Sequence, residues 1–187
     1  CDALGDAVHA LLEAAPRREN DALAQARGLV AQNARDMRAN GLEEAAVARW
    51  EREAAACTER LAPFLAARAS QGFVRRCHGD LHLGNLVLWE GRPVAFDALE
   101  FDESFAETDI GYDLAFLLMD LDLRVGRWAA NRVMNRVIAR SGEVSFLQAL
   151  PLWMSFRAAV RAHVTAARGG DGAAYLTEAL RLLDALP

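Results

Sequence analysis

Residues 77–85 read CHGDLHLGN, placing His78, Asp80, His82 and Asn85 and the glycines at 79 and 84 in nine consecutive positions. The next dozen residues decide how to read them. NLVLW (85–89) and PVAF (93–96) are short apolar runs joined through Glu90-Gly91-Arg92, and a glycine in a three-residue connection predicts a β-hairpin. The end of the second strand then returns beside the start of the first, so Asp97 lands near Asn85. A carboxylate and an amide oxygen side by side are hard ligands suited to Mg²⁺, which needs few protein ligands where substrate phosphates supply others. Asp80 is left as a second carboxylate close by, able to accept a proton. A metal-holding pair with a separate base is what phosphoryl transfer to a hydroxyl requires. The same residues admit another chemistry. His78, Asp80 and His82 alternate, and on one strand face they would bind zinc and activate water as a metal-dependent hydrolase does. That reading leaves Asn85 and Asp97 unexplained, and the two glycines suit a loop better than a strand.

Outside this segment the chain reads as helices. Leu4, Val8, Leu11 and Leu12 recur at helical spacing before Pro16. A second helix is capped at Asn20 or Asp21 and ends at Gly41. Residues 42–70, rich in alanine, glutamate and arginine, form a third that Pro63 kinks or splits. GFVRRC (72–77) predicts a short strand. From Glu107 onward the pattern is helical again: 107–126 is apolar on most faces and so buried, 127–142 is amphipathic and stops at Gly142, a further helix starts near Pro151 and ends at Gly169-Gly170, and the last runs from about Gly172 to Leu186. With no repeat or linker, residues 1–187 are expected to form one α+β domain, mostly helical, around a small hairpin.

Composition narrows the function classes. A net charge of -5 argues against general affinity for nucleic acid or anionic membranes. No run of about 18 apolar residues exists to span a bilayer, and Cys1, Cys57 and Cys77 make neither a disulfide framework nor a paired zinc motif. A cytoplasmic protein is the expectation. All 21 Lys+Arg positions are arginine, so a mechanism needing lysine must draw it from elsewhere. A first residue of cysteine rather than methionine suggests a piece of a longer protein.

His78-Gly79-Asp80-(x₄)-Asn85 followed by Phe96-Asp97 has the spacing of the protein kinase catalytic loop and its later metal-binding aspartate. With HGDLHLGN in full, and with DIGYDLAFL (109–117) similar to a D-P-x-x-D-L-A helix in which isoleucine replaces proline, the segment resembles the aminoglycoside phosphotransferase and choline kinase-like family. The close resemblance covers about residues 74–120. It implies the helical C-lobe of a protein kinase-like fold, with the hairpin carrying the catalytic loop. It further implies ATP as phosphate donor, a small-molecule hydroxyl as acceptor, Asp80 as base, Asn85 and Asp97 as Mg²⁺ ligands, and Asp113 as the residue bracing the loop. His78 would support the loop structurally, bonded to backbone near Asp97. His82 and Glu100 are possible substrate or loop contacts, Glu100 as part of an acidic run with Asp102, Glu103, Glu107 and Asp109 that otherwise solvates a loop and caps the next helix. Such a kinase also needs an N-lobe bearing a lysine and a phosphate-covering loop. Neither is in this sequence, so an N-lobe is expected upstream and the isolated chain is expected to be inactive. Some similar bacterial proteins are fused to a P-loop domain, which would also lie outside. A chain that keeps the pocket but has lost the chemistry would instead be a non-catalytic binding module.

Overall fold

The computed structural model describes residues 1–99 and 106–185; Glu100 and Leu186 therefore lie outside the described residues. Four helices come first: α1 (Asp2–Ala14), α2 (Ala22–Ala39), α3 (Glu44–Arg60) and α4 (Ala62–Ser70). Four short strands follow, β1 (Val74–Arg76), β2 (Leu86–Trp89), β3 (Arg92–Ala95) and β4 (Glu107–Asp109). The chain then continues through α5 (Ile110–Arg124), α6 (Arg127–Ser141), α7 (Leu150–Ala167) and α8 (Gly172–Asp184). The fold is α+β, predominantly helical, with two small antiparallel sheets.

Local chemistry sets most boundaries. Asp21 caps α2 by accepting from Leu23 and Ala24 N–H, and Asp109 caps α5 by accepting from Gly111, each satisfying a donor that a helix start leaves open. Leu61 ends α3, and Pro63 sits in the first turn of α4, where its missing N–H costs nothing. Gly142 closes α6 in the left-handed region at φ 70°, the conformation glycine adopts without penalty.

The chain divides into two compact units. One comprises residues 21–67 and 148–187. Within it Trp50 of α3 donates its indole N–H to Ser155 Oγ of α7 at 2.9 Å, and that hydroxyl donates to Ala179 O of α8 at 2.7 Å. Three helices are thus tied by one buried polar relay.

The other unit, residues 1–20 and 68–147, holds the motif. β1 pairs with β4, Val74 opposite Asp109 and Arg76 opposite Glu107. On the other side of β1, Arg17 bridges Arg75. β2 and β3 form the expected hairpin, Leu86 opposite Ala95. Its connection is Glu90-Gly91 rather than three residues, because Arg92 pairs with Trp89. Both turn residues have positive φ, 49° and 77°, as a type I′ turn demands.

Two expectations need correction. Residues 107–109 are strand, not the start of a helix: they complete the hydrogen bonds of β1, and α5 begins only at Ile110. The final helix ends at Asp184.

Candidate active site

The catalytic-loop candidate leaves β1 at Cys77 and returns to β2 at Asn85. Cys77 is buried, and its N–H still pairs with Ala106 O at 2.8 Å, extending the strand pairing by one bond. The chain then turns at Gly79, whose φ is 81° and where an added Cβ would sit 2.7 Å from Leu99 Cδ1. Only glycine meets both demands. Leu99 in turn donates its N–H to His78 O at 3.0 Å, so the segment after β3 is fastened to the loop.

His78 is buried. Its Nε2 lies 2.9 Å from Phe96 O, and Asp80 N–H approaches its Nδ1 at 3.3 Å. A carbonyl can only accept and a backbone N–H can only donate, so the ring is the Nε2–H tautomer. Both nitrogens are thereby used within the fold. That disfavours the zinc reading, which needs one of them as a ligand. Among the described residues no three His, Cys, Asp or Glu side chains are grouped to hold a metal ion.

Asn85, also buried, donates Nδ2–H to both Asp80 O and Asp80 Oδ2, each at 2.9 Å. The backbone carbonyl fixes which end of the amide faces it, so Oδ1 is the atom left to meet a cation. Across the hairpin, Phe96 N–H donates to Asn85 O at 3.0 Å. Asp97, the next residue, carries an exposed carboxylate at the same end of the hairpin, with φ of 60°. Asp80 itself is partly exposed. His82 caps the short 3₁₀ turn Leu83–Asn85 through Nδ1, which accepts Gly84 N–H at 2.9 Å. Its Nε2 lies 3.4 Å from Asp80 Oδ2, and its ring meets Phe116 edge-on at 5.1 Å.

Beneath the loop runs α5, whose residues 111–121 are all buried. Asp113 is fully buried and accepts His78 N–H at 3.1 Å and Gly79 N–H at 3.0 Å. A carboxylate in so apolar a helix needs such donors to be tolerated. Asp120, equally buried, accepts Leu83 N–H at 3.0 Å and belongs to none of the motifs legible in the sequence. A signal is nevertheless present, since it is a second aspartate seven positions on within the same apolar run.

A third buried carboxylate secures the start of α5. Arg68, at 1% exposure, makes two bonds to Asp109, 2.6 and 2.8 Å, and reaches Glu143 and Ser145. Burial alone would disfavour its charge, but the bonds to Asp109 outweigh this and hold its pKa above the ordinary value. No local sequence signal reveals a pair 41 residues apart. Among the described residues no helix is long and apolar enough to cross a membrane.

Residues 2–150 match the family described as "Phosphotransferase enzyme family". The chain is similar to Uncharacterized protein Rv2004c of Mycobacterium tuberculosis and Uncharacterized protein Mb2027c of Mycobacterium bovis, each 30% identical over 107 residues, 57% of this chain. It spans only 22% of the length of these curated relatives. No solved structure gives a significant match. The match over most of the sequence, including the whole loop and the α5 brace, places the chain in the phosphotransferase enzyme family, the aminoglycoside phosphotransferase group of the protein kinase-like superfamily.

Proposed function

We propose that the chain is the C-lobe of an ATP-dependent kinase that phosphorylates a hydroxyl of a small molecule. The observation that carries this reading is the pair of hydrogen bonds from Asn85 Nδ2 to Asp80 O and Oδ2. It ties base and amide together and leaves Asn85 Oδ1 as the amide atom available to a cation. A neutral amide oxygen and an exposed carboxylate fit Mg²⁺, which keeps several waters and takes the rest of its ligands from phosphates. Asn85 and Asp97 would hold the ion, which supplies charge neutralisation for the nucleotide phosphates.

Asp80 orients the acceptor hydroxyl and takes its proton as the oxygen bonds to the γ-phosphorus. The bond from that phosphorus to the bridging oxygen breaks, and its electron pair leaves with ADP. His78 and Asp113 keep the loop in place and touch neither reactant. The phosphate-covering strands and the lysine come from an N-lobe upstream, consistent with relatives of which this chain spans about a fifth. Alone, the chain should bind MgATP weakly, because few charge-assisted contacts to the phosphates remain.

The test uses the full-length protein with ATP and a panel of hydroxylated amines and sugars. The wild type should transfer phosphate. Asp80→Asn should keep nucleotide affinity yet lose about 10²- to 10⁴-fold in turnover, the usual contribution of a general base. Full turnover by Asp80→Asn would remove the base assignment. Nucleotide binding without turnover in the wild type would make the chain a non-catalytic binding module.

A further inference from the structure

We propose that His82 is a positioning residue for Asp80: with Asn85 it holds the Oδ2 oxygen of the carboxylate and so commits Oδ1 to receive the acceptor's proton. The inference rests on the kinase reading above. It derives from the tautomer of His82. Gly84 N–H can only donate, so Nδ1, 2.9 Å away, is the acceptor. A neutral ring then carries its proton on Nε2, the nitrogen that lies 3.4 Å from Asp80 Oδ2. That separation is long for a hydrogen bond, as catalytic contacts often are before substrate arrives.

Asn85 Nδ2–H thus bonds Oδ2 at 2.9 Å, and His82 Nε2 approaches the same oxygen at 3.4 Å, near enough for a bond to form as the site closes on substrate. The terminal torsion of an aspartate is nearly two-fold, so its oxygens would ordinarily interchange. The Asn85 bond, joined by the His82 contact on the same side, disfavours that exchange. Each carboxylate oxygen offers about two lone-pair sites, enough on Oδ2 to receive both groups. The hydroxyl O–H bond thus breaks with its proton passing to Oδ1, while the hydroxyl oxygen bonds to phosphorus.

The ring is itself held. Phe116 of α5 lies edge-on beneath it at 5.1 Å, and Gly84 leaves the space it occupies. A Cβ at position 84 would stand 2.7 Å from His82 Cε1 and 3.0 Å from Nδ1. Glycine at 84 is therefore required by the histidine two positions earlier, a dependence that a simple turn does not explain.

The two ring nitrogens can be replaced separately. His82→Gln places an amide N–H near the position of Nε2 and has nothing at Nδ1. His82→Asn keeps an acceptor for Gly84 and does not reach Asp80. In the full-length protein, with MgATP as donor and water as acceptor, His82→Gln should turn over within about threefold of wild type. His82→Asn and His82→Ala should lose about ten- to a hundredfold in kcat with KM for ATP unchanged, the scale expected of a misplaced reacting group. Gly84→Ala, which removes no polar atom, should behave as His82→Asn does. A histidine that only caps the turn gives the opposite order, Asn active and Gln impaired, and that result overturns the inference alone. Equal activity of Gln and Asn overturns it as well. A wild type with no turnover on water or on any acceptor overturns the kinase reading and this inference with it. Ring ¹⁵N shifts give a readout free of activity: Nε2 should be protonated and Nδ1 not, and the reverse overturns the proposal.

Discussion

Asp113 and Asp120 lie seven residues apart on α5 and hold opposite ends of one loop. Asp113 takes the N–H groups of His78 and Gly79, and Asp120 takes that of Leu83. Seven residues are almost two helical turns, so both carboxylates project from one face. A single rigid helix thereby fixes the start and end of the segment that carries Asp80.

The two braces should differ in cost. Asp113→Ala strands two buried N–H groups, each costing about 1–3 kcal/mol, so a loss of about 2–6 kcal/mol is expected. Asp120→Ala strands one, and it also removes Oδ1, a buried oxygen with no hydrogen-bond partner among the described residues. Its net cost should be near 1 kcal/mol or less. Urea titration of the two variants measures the difference. Equal losses would mean that the loop is not held in the way described.

His163 makes stability depend on pH in a defined direction. It lies on α7 with its Nε2 4.0 Å from Asp36 Oδ2. Burial lowers its pKa below 6.5, and the charge of Asp36 only partly opposes this. A lowered folded value means that the unfolded chain binds the proton first. The stabilisation is therefore complete above 6.5 and is lost as pH falls through the folded value. Denaturant titrations between about pH 5 and 8 should show wild type losing stability on acidification faster than His163→Gln, by at most about 1.4 kcal/mol per pH unit. Parallel curves for the two proteins would refute the assignment.

The parts of this site that can be read from sequence are those encoded locally. The spacing His78-x-Asp80-x₄-Asn85 and the hairpin after it lie within one stretch, and Asp113 stands out because its helix is otherwise apolar. β4 escapes such a reading because Glu-Thr-Asp is three polar residues with no alternation. Its strand character comes from pairing with Val74–Arg76, more than 30 positions away. The Arg68–Asp109 pair is invisible for the same reason: each residue alone looks like an ordinary surface charge. The turn is one residue shorter than its sequence suggests because Arg92 pairs through its backbone, which the identity of its side chain does not announce. His82 reads from sequence as a substrate or loop contact, or as a zinc ligand in the hydrolase alternative, and not as a partner of Asp80, since a tautomer is fixed by neighbours in space and not by a motif.

Asp97 offers a test in which stability and activity separate. Its φ of 60° is a left-handed conformation that glycine adopts freely and other residues adopt at a cost, aspartate less than most. An exposed carboxylate on such a backbone is the kind of position at which a functional role can be tested apart from stability. Asp97→Gly relieves the backbone while giving the unfolded chain more freedom, and these effects nearly offset. The variant should therefore match or exceed wild-type stability, by up to about 1 kcal/mol, which is a few degrees in Tm for a chain of this size. Its turnover of MgATP in the full-length protein should fall by at least about a hundredfold, since no metal ligand remains at that position. Asp97→Asn keeps the backbone preference and a weaker oxygen ligand, and should fall between the two. Thermal unfolding and steady-state turnover on the same preparations decide the matter. A clear loss of stability in Asp97→Gly would show that the side chain serves the fold, and retained turnover would end its role as a ligand.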